Sequence, residues 1–223
     1  MTGTPTRAEP ETRFPLWTDA EPSATKVRSA RILLEIAAGA RSCAVVRHPL
    51  SFYCFPFYRH DGDGLCIHYW PAADPGAPEA ENDSVHSHSW AMRSRVLVGD
   101  IVNRVFAVED QDRETSLELY LVENHGGHDE IQPTSRAVTC RNAALHMVGP
   151  GETYELGAGI FHATEGASNG PIVTVVSGRN VPHQQNLLVD RAGHARRVTT
   201  RQTLAAPDST RLARTVAALI CPY

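Results

Sequence analysis

The sequence predicts an all-β domain, an antiparallel sandwich or barrel, with one helix leading into it and a short helix closing it. Three observations carry that expectation. From Ala44 onward the chain runs in short β-type stretches broken by turn residues, at a spacing that suits hairpins. Helical periodicity occurs only near the two ends. The 223 residues are enough for one domain with a sizeable core plus a tail or two.

Residues 1–22 hold four prolines, many charges and no periodicity, so a flexible arm is expected there. Ser23 is the expected cap of a helix carrying Val27, Ala30, Leu33, Leu34 and Ala37 on one face, with Gly39 as its stop. Strands are expected near 44–58, 64–71, 84–90, 93–108, 115–123, 135–140, 144–149, 152–156, 161–165, 172–178, 186–190 and 195–200. The turn signals between them include Asp61-Gly62-Asp63-Gly64, Val98-Gly99-Asp100, Asn124-His125-Gly126-Gly127, Gly149-Pro150-Gly151 and Asn169-Gly170-Pro171. Pro71 to Ser84, rich in Pro, Ala and acid, reads as a surface loop. A closing helix from about Asp208 to Leu219 places Leu212, Val216 and Leu219 on one side. The division that follows is an arm at 1–22, a barrel domain with its leading helix at 23–200, and a helical extension at 201–223.

A formal charge of −4 supplies no basic field for nucleic acid. No stretch has the length of a membrane span, and the N-terminus lacks a signal peptide's apolar segment, so a soluble, cytoplasmic protein is expected. Five cysteines, Cys43, Cys54, Cys66, Cys140 and Cys221, are odd in number and form no C-x-x-C pair. That argues against a disulfide scaffold or a thiolate zinc site and for buried free thiols.

The chemistry concentrates in His86-Ser87-His88 and in Gly157-Ala158-Gly159-Ile160-Phe161-His162. Two imidazoles two residues apart on a strand point to the same side of the sheet. A third, arriving behind a glycine turn, would close a facial three-nitrogen site for a divalent metal. Trp90 follows His88 in the same phase and is expected to wall the cavity.

At these residues the chain resembles the cupin superfamily. The first cupin motif is a histidine pair, a glutamate a few residues on, and a glycine that closes the strand; His86, His88 and Gly99 match, and Met92 stands at the glutamate position. In the second motif Gly151, Gly159 and His162 match, while Gly157 replaces a proline and Gly166 an asparagine. The resemblance covers roughly residues 44–190 and implies a jelly-roll β-barrel with a metal in its mouth. Without the glutamate, three neutral ligands remain, an arrangement similar to the three-histidine thiol dioxygenases such as cysteine dioxygenase. By that resemblance Arg59, in Tyr58-Arg59-His60, would grip a substrate carboxylate, a role its bidentate fork suits. The relay those enzymes carry after the third histidine has no counterpart here, where Ala163-Thr164-Glu165-Gly166 follows.

The site expected is therefore His86, His88 and His162 as metal ligands, with Arg59 and Tyr154 as candidate catalytic residues. Fe(II) comes first as the metal, with zinc or nickel as alternatives. Glu152 and Glu165 are candidate proton acceptors, and Glu155 shares the Tyr154 strand. His68 reads as packed or as lying behind the metal ligands, with lining the barrel beside the site as the alternative, and His146 as facing the core or lying behind the ligands. His125 and His128 read as solvated turn residues, and Arg93 and Arg95 as outward-facing members of ion pairs. For Arg59 the plainer alternative is a rim salt bridge with Asp61 or Asp63.

The function expected is a mononuclear non-haem iron dioxygenase or oxidase acting on a small molecule, including a carboxylate-bearing one, with O₂ as co-substrate. One alternative is a non-redox enzyme using zinc or another metal, as an isomerase, lyase, cyclase or bond-forming enzyme of specialised biosynthesis. The other is a barrel that binds a small ligand without turnover. The barrel edges and the arm at 1–22 leave room for a homodimer, and neither nucleic acid nor membrane is an expected partner.

Overall fold

Short β-forming runs separated by tight turns leave the chain few ways to bury its apolar faces except by stacking two sheets. The computed structural model describes residues 20–72, 85–113 and 115–221. The arm expected at 1–22 and the loop expected at 71–84 fall mostly outside those residues.

Helix α1 spans Pro22–Ala37. The strands are β1 (Val46–Arg47), β2 (Tyr53–His60), β3 (Asp63–Trp70), β4 (His86–Ser87), β5 (Trp90–Val98), β6 (Ile101–Asp110) and β7 (Leu117–Asn124), followed by the long β8 (His128–Val148). Then come β9 (Thr153–Leu156), β10 (His162–Gly166), β11 (Ile172–Asn180), β12 (Leu187–Arg191), β13 (Arg197–Thr200) and β14 (Gln202–Thr203), and helix α2 closes the order at Ala206–Ile220. One seven-stranded sheet runs β14-β1-β2-β3-β11-β5-β9, the other β13-β8-β6-β10-β4-β12-β7, with β8 also pairing with β7. All of the pairings are antiparallel, and the all-β class with a helix toward each end is as expected.

Both helices lie on the outer face of the first sheet. Leu33, Ile36, Ala213 and Val216 of the helices share one buried cluster with Phe55, Leu65, Ile67, Leu97, Val173 and Val175 of the strands. On β3 the alternation is clean. Leu65, Ile67 and Tyr69 pack under the helices, while Cys66 and Trp70 join the clusters inside the barrel. That interior also holds Met92, Leu156, Val176, Val96, Ile101 and Ile172.

Several local expectations are corrected. Helix α1 starts at Pro22, whose fixed φ suits the first helical position, so Ser23 lies inside the helix and Glu21 precedes it. Val27 and Leu34 are exposed at 62% and 41%, and the helix buries Thr25, Ser29, Ile32 and Ile36 beside Ala30, Leu33 and Ala37. The buried stripe is turned toward Thr25 because Arg95, buried beneath the helix start, donates hydrogen bonds to the Thr25 hydroxyl at 3.0 Å and to the Ala20 carbonyl. Arg95 thus anchors a helix from a buried position; Arg93 pairs with Glu155 at 3.2 Å.

The stretch expected as one strand at 44–58 is divided by a turn in which the His48 N–H meets the Phe52 carbonyl at 2.7 Å. Conversely, 135–140 and 144–149 belong to one strand. β8 absorbs its irregularities as bulges opposite Leu119/Tyr120 and Val105/Phe106 instead of breaking. The β2–β3 hairpin turns on Asp61 and Gly62, both at positive φ (48° and 81°), as a two-residue loop of the I′ kind requires. His146, expected to face the core, is exposed on β8, opposite Asn103 of β6. Helix α2 begins two residues earlier than expected and buries Ala213, Val216, Ala217 and Ile220, with Leu212 and Leu219 half-buried against the same core.

Candidate metal centre

Strand pairing brings the three imidazoles together. His162, the first residue of β10, pairs directly across from His86 of β4. His88 sits two residues further along, and the Gly159 N–H donates to the His88 carbonyl at 2.9 Å, tying the glycine turn to the histidine pair. Gly159 stands at φ +78°, a conformation open to glycine. The ring centroids of His86, His88 and His162 are 4.5–5.0 Å apart. One ligand nitrogen from each lies within 4.8 Å of the others. Two nitrogens on one tetrahedral zinc are roughly 3.3 Å apart, so modest side-chain adjustment closes the set on a cation.

The donors suit that role. His162 is 3% exposed, and its Nδ1 lies 3.1 Å from the Ile160 carbonyl. An Nδ1–H donated there leaves Nε2 with its lone pair free for a cation. Burial, reinforced by His86, pushes the His162 pKa down to about 3, against a pull upward from the Ile160 carbonyl. His88 is held well below the ordinary imidazole range, first by burial and then by His86 and His162. Both rings are thus neutral at physiological pH, the form that ligates.

The walls are aromatic and polar by turns. Trp90 stacks on His88 with centroids 4.3 Å apart and planes 22° apart, as expected of a residue walling the site. The indole lies over Gly178 of β11, where an added Cβ would meet it at 2.6 Å. Met92, at the position where the cupin pattern has glutamate, is buried between Leu156 and Val176. Phe52 stacks on His48 and leans on His68 and Trp70. The low pKa of His48 comes first from burial, then from Arg201, His68 and His86, so this second group of imidazoles lies within electrostatic reach of the first.

Of the two candidate catalytic residues, Tyr154 lies inside the barrel, packed against both interior clusters. Burial raises its phenol pKa, and the Ser94 and Thr164 hydroxyls pull the other way, so it is a neutral donor. The Thr164 hydroxyl continues to Asn103 at 3.0 Å, extending a polar string along the His162 strand. Arg59 is exposed on β2, opposite Gly64. The nearby acids pair elsewhere, Asp61 with His60 at 3.1 Å and Asp63 with Arg179 at 3.5 Å. The hydrogen bond between the two thiols, first of all, holds Cys54 well below the ordinary thiol range and, with burial, Cys66 well above it; the Arg59 charge adds a smaller downward pull on both. The carboxylates raised as proton acceptors are also engaged: Glu152 accepts the Gly149 N–H at 2.7 Å and Glu165 pairs with Arg104 at 2.5 Å.

Sequence reasoning missed a further cluster. Cys54, Cys66 and His68 bring one donor atom each to within 4.8 Å of one another, and Cys66 Sγ lies 3.2 Å from His68 Nε2. The signal was the hairpin turn at Asp61-Gly62, which folds β2 onto β3 and sets Cys54 opposite His68.

Neither the protein-family models nor the curated proteins compared with this chain include a match. Solved structures do match. Hydroxypropylphosphonic acid epoxidase from S. wedmorenis aligns over 58% of this chain and 50% of its own, at 10% identity and a TM-score of 0.34. DMSP lyase DddQ from Ruegeria pomeroyi DSS-3 aligns over 61% of this chain and 50% of its own, at 16% identity and a TM-score of 0.34. The Schizosaccharomyces pombe Cnp3 cupin domain aligns over 58% and 61%, at 7% identity and 0.34. The chain spans about half the length of the epoxidase and the lyase it matches. Among the described residues no helix is long and apolar enough to cross a membrane.

Proposed function

We propose that this chain is a metal-dependent enzyme acting on a small molecule, with His86, His88 and His162 holding a divalent cation and Fe(II) as the working metal. The observation that supports the reading is the convergence of three imidazoles, from strands far apart in sequence, on one point at the barrel wall. Three neutral ligands leave coordination positions open for substrate and O₂, and the bound iron would supply the oxygen chemistry of a dioxygenase or oxidase. The protein's part is to fix the donors and exclude bulk water. The Ile160 carbonyl sets the His162 tautomer, and Trp90 holds the His88 ring. Tyr154, neutral and inside the barrel, is assigned the donation of a hydrogen bond to bound substrate. Arg59, on the β2 wall, is assigned the carboxylate of an acidic substrate.

The test is to purify the protein without oxygen, add Fe(II), and follow nitric oxide binding by electron paramagnetic resonance and oxygen uptake with carboxylate-bearing candidates. Wild type should load one iron and give the high-spin nitrosyl signal. His86→Ala and His162→Ala should lose it while keeping the wild-type circular dichroism, because the core under the helices does not depend on the ion. Normal metal content in both variants overturns the assignment. A second reading rests on the same donor set: three imidazoles with an open position also describe a catalytic zinc site. Zinc-loaded protein that turns over substrate without oxygen uptake would favour it.

A further inference from the structure

The Cys54–Cys66–His68 cluster shares no residue with the histidine triad and plays no part in the function proposed above. Two sulfurs and an imidazole nitrogen lie within 4.8 Å of one another on adjacent strands of one hairpin. Cys66 and Cys54 are not disulfide-bonded, and Cys66 lies among the apolar side chains of the barrel interior. The His68 ring is braced between Phe52, at 4.5 Å, and Trp70, at 5.8 Å, which keeps its Nε2 3.2 Å from Cys66 Sγ. A donor set of two sulfurs and one nitrogen is soft, and it selects thiophilic cations over iron or magnesium.

We infer that Cys54, Cys66 and His68 form a second metal site, one that takes a monovalent thiophilic cation, Cu(I), in three-coordinate geometry. Two arguments favour Cu(I) over Zn(II). Among the described residues the cluster offers three donors, whereas zinc in structural sites takes four. Two thiolates and Cu⁺ leave a net negative charge, and the Arg59 guanidinium acts electrostatically on both sulfurs to offset it. With Zn²⁺ the set would be neutral, and the same guanidinium would have no negative charge to offset. On binding, the thiol protons pass to solvent and no electron is transferred.

The experiment is an anaerobic titration of the full chain with Cu(I) against a chromophoric chelator, followed by X-ray absorption at the copper edge. Wild type should take one tightly held equivalent with sulfur and imidazole scatterers. The His86→Ala/His88→Ala/His162→Ala variant should keep that equivalent, and so should Cys43→Ser/Cys140→Ser/Cys221→Ser, which removes the other thiols. Cys54→Ser and Cys66→Ser should each weaken binding at least a hundredfold, with thermal melts showing that they remain folded. If a serine variant fails to fold, His68→Gln takes its place and should lose the nitrogen scatterer and weaken binding about tenfold. Binding unchanged in the serine variants, binding lost with the triad, or a preference for Zn(II) in direct competition would each overturn the proposal. Failure of iron loading at the triad would leave this result untouched, so the two assignments stand or fall separately.

Discussion

Gly178→Ala tests whether the Trp90 indole positions the His88 ligand. A methyl group at residue 178 would lie 2.6 Å from Trp90 Cε3, 2.9 Å from Cζ3 and 3.3 Å from Cδ2. Carbon atoms in good contact sit about 3.5–4.0 Å apart, so the ring must retreat by roughly 1 Å. The indole is already stacked on His88 at 4.3 Å, so any retreat must either compress or slide that stack. Overpacking of this size costs about 1–3 kcal/mol, against a gain of about 0.5–1 kcal/mol from removing a glycine within a strand. The overpacking wins. The variant should therefore unfold at lower denaturant with an unchanged far-ultraviolet spectrum. Residues that brace a ligand typically carry 10–100-fold in metal affinity, and a loss near the lower end, about tenfold, is expected for zinc or cobalt at the triad. Tryptophan fluorescence, denaturant midpoints and a cobalt absorption titration measure all three. A stability loss with unaltered metal affinity would refute the bracing role, and no change in either would refute the packing itself.

His162 is 3% exposed and titrates near 3 in the fold, against 6.5 for a free imidazole. Below pH 6.5 the unfolded chain takes up a proton that the fold refuses, so metal-free protein loses stability as pH falls from 6.5 toward 3. At pH 5 the deficit from this residue is about 2 kcal/mol, and His162→Asn should flatten the pH dependence of the denaturant midpoint by that amount. Arg95→Ala removes donors to Thr153, Thr25 and the Ala20 carbonyl at a site only 7% exposed. Chemical denaturation should show a loss of about 3 kcal/mol, and Arg95→Lys, with one head group for several acceptors, should recover little of it. Met92→Glu places a carboxylate between Leu156 and Val176, which destabilises the metal-free protein. Zinc should then raise the melting temperature of the variant more than that of wild type, and an equal rise would show that residue 92 does not face the cation.

Reading the chain alone went a long way because the informative features are local. The alternation on β3, the positive-φ turn at Asp61-Gly62 and the glycine turn before His162 are all set by neighbours within a few residues. The same is true of the His86-Ser87-His88 spacing, which needs no partner to put both rings on one side. Errors arose where a partner strand or helix overrode the local pattern. Val27 and Leu34 are as apolar as their buried neighbours, yet the contact between Arg95 and Thr25 turns the helix so that both face solvent. The gap expected between 140 and 144 lies within β8, where pairing with β6 carries the strand through its bulge.

What sequence by itself determined was the all-β class, the two end helices and the identity of the three imidazoles, because periodicity and turn chemistry act over short range. Tertiary structure alone decided that His162 lies opposite His86, that Trp90 stacks on His88 over Gly178, and that Cys54 and Cys66 share a corner with His68. Those are contacts between strands distant along the chain or offset across a hairpin. Their register depends on the summed pairing and burial of whole sheets, which no short window of residues contains.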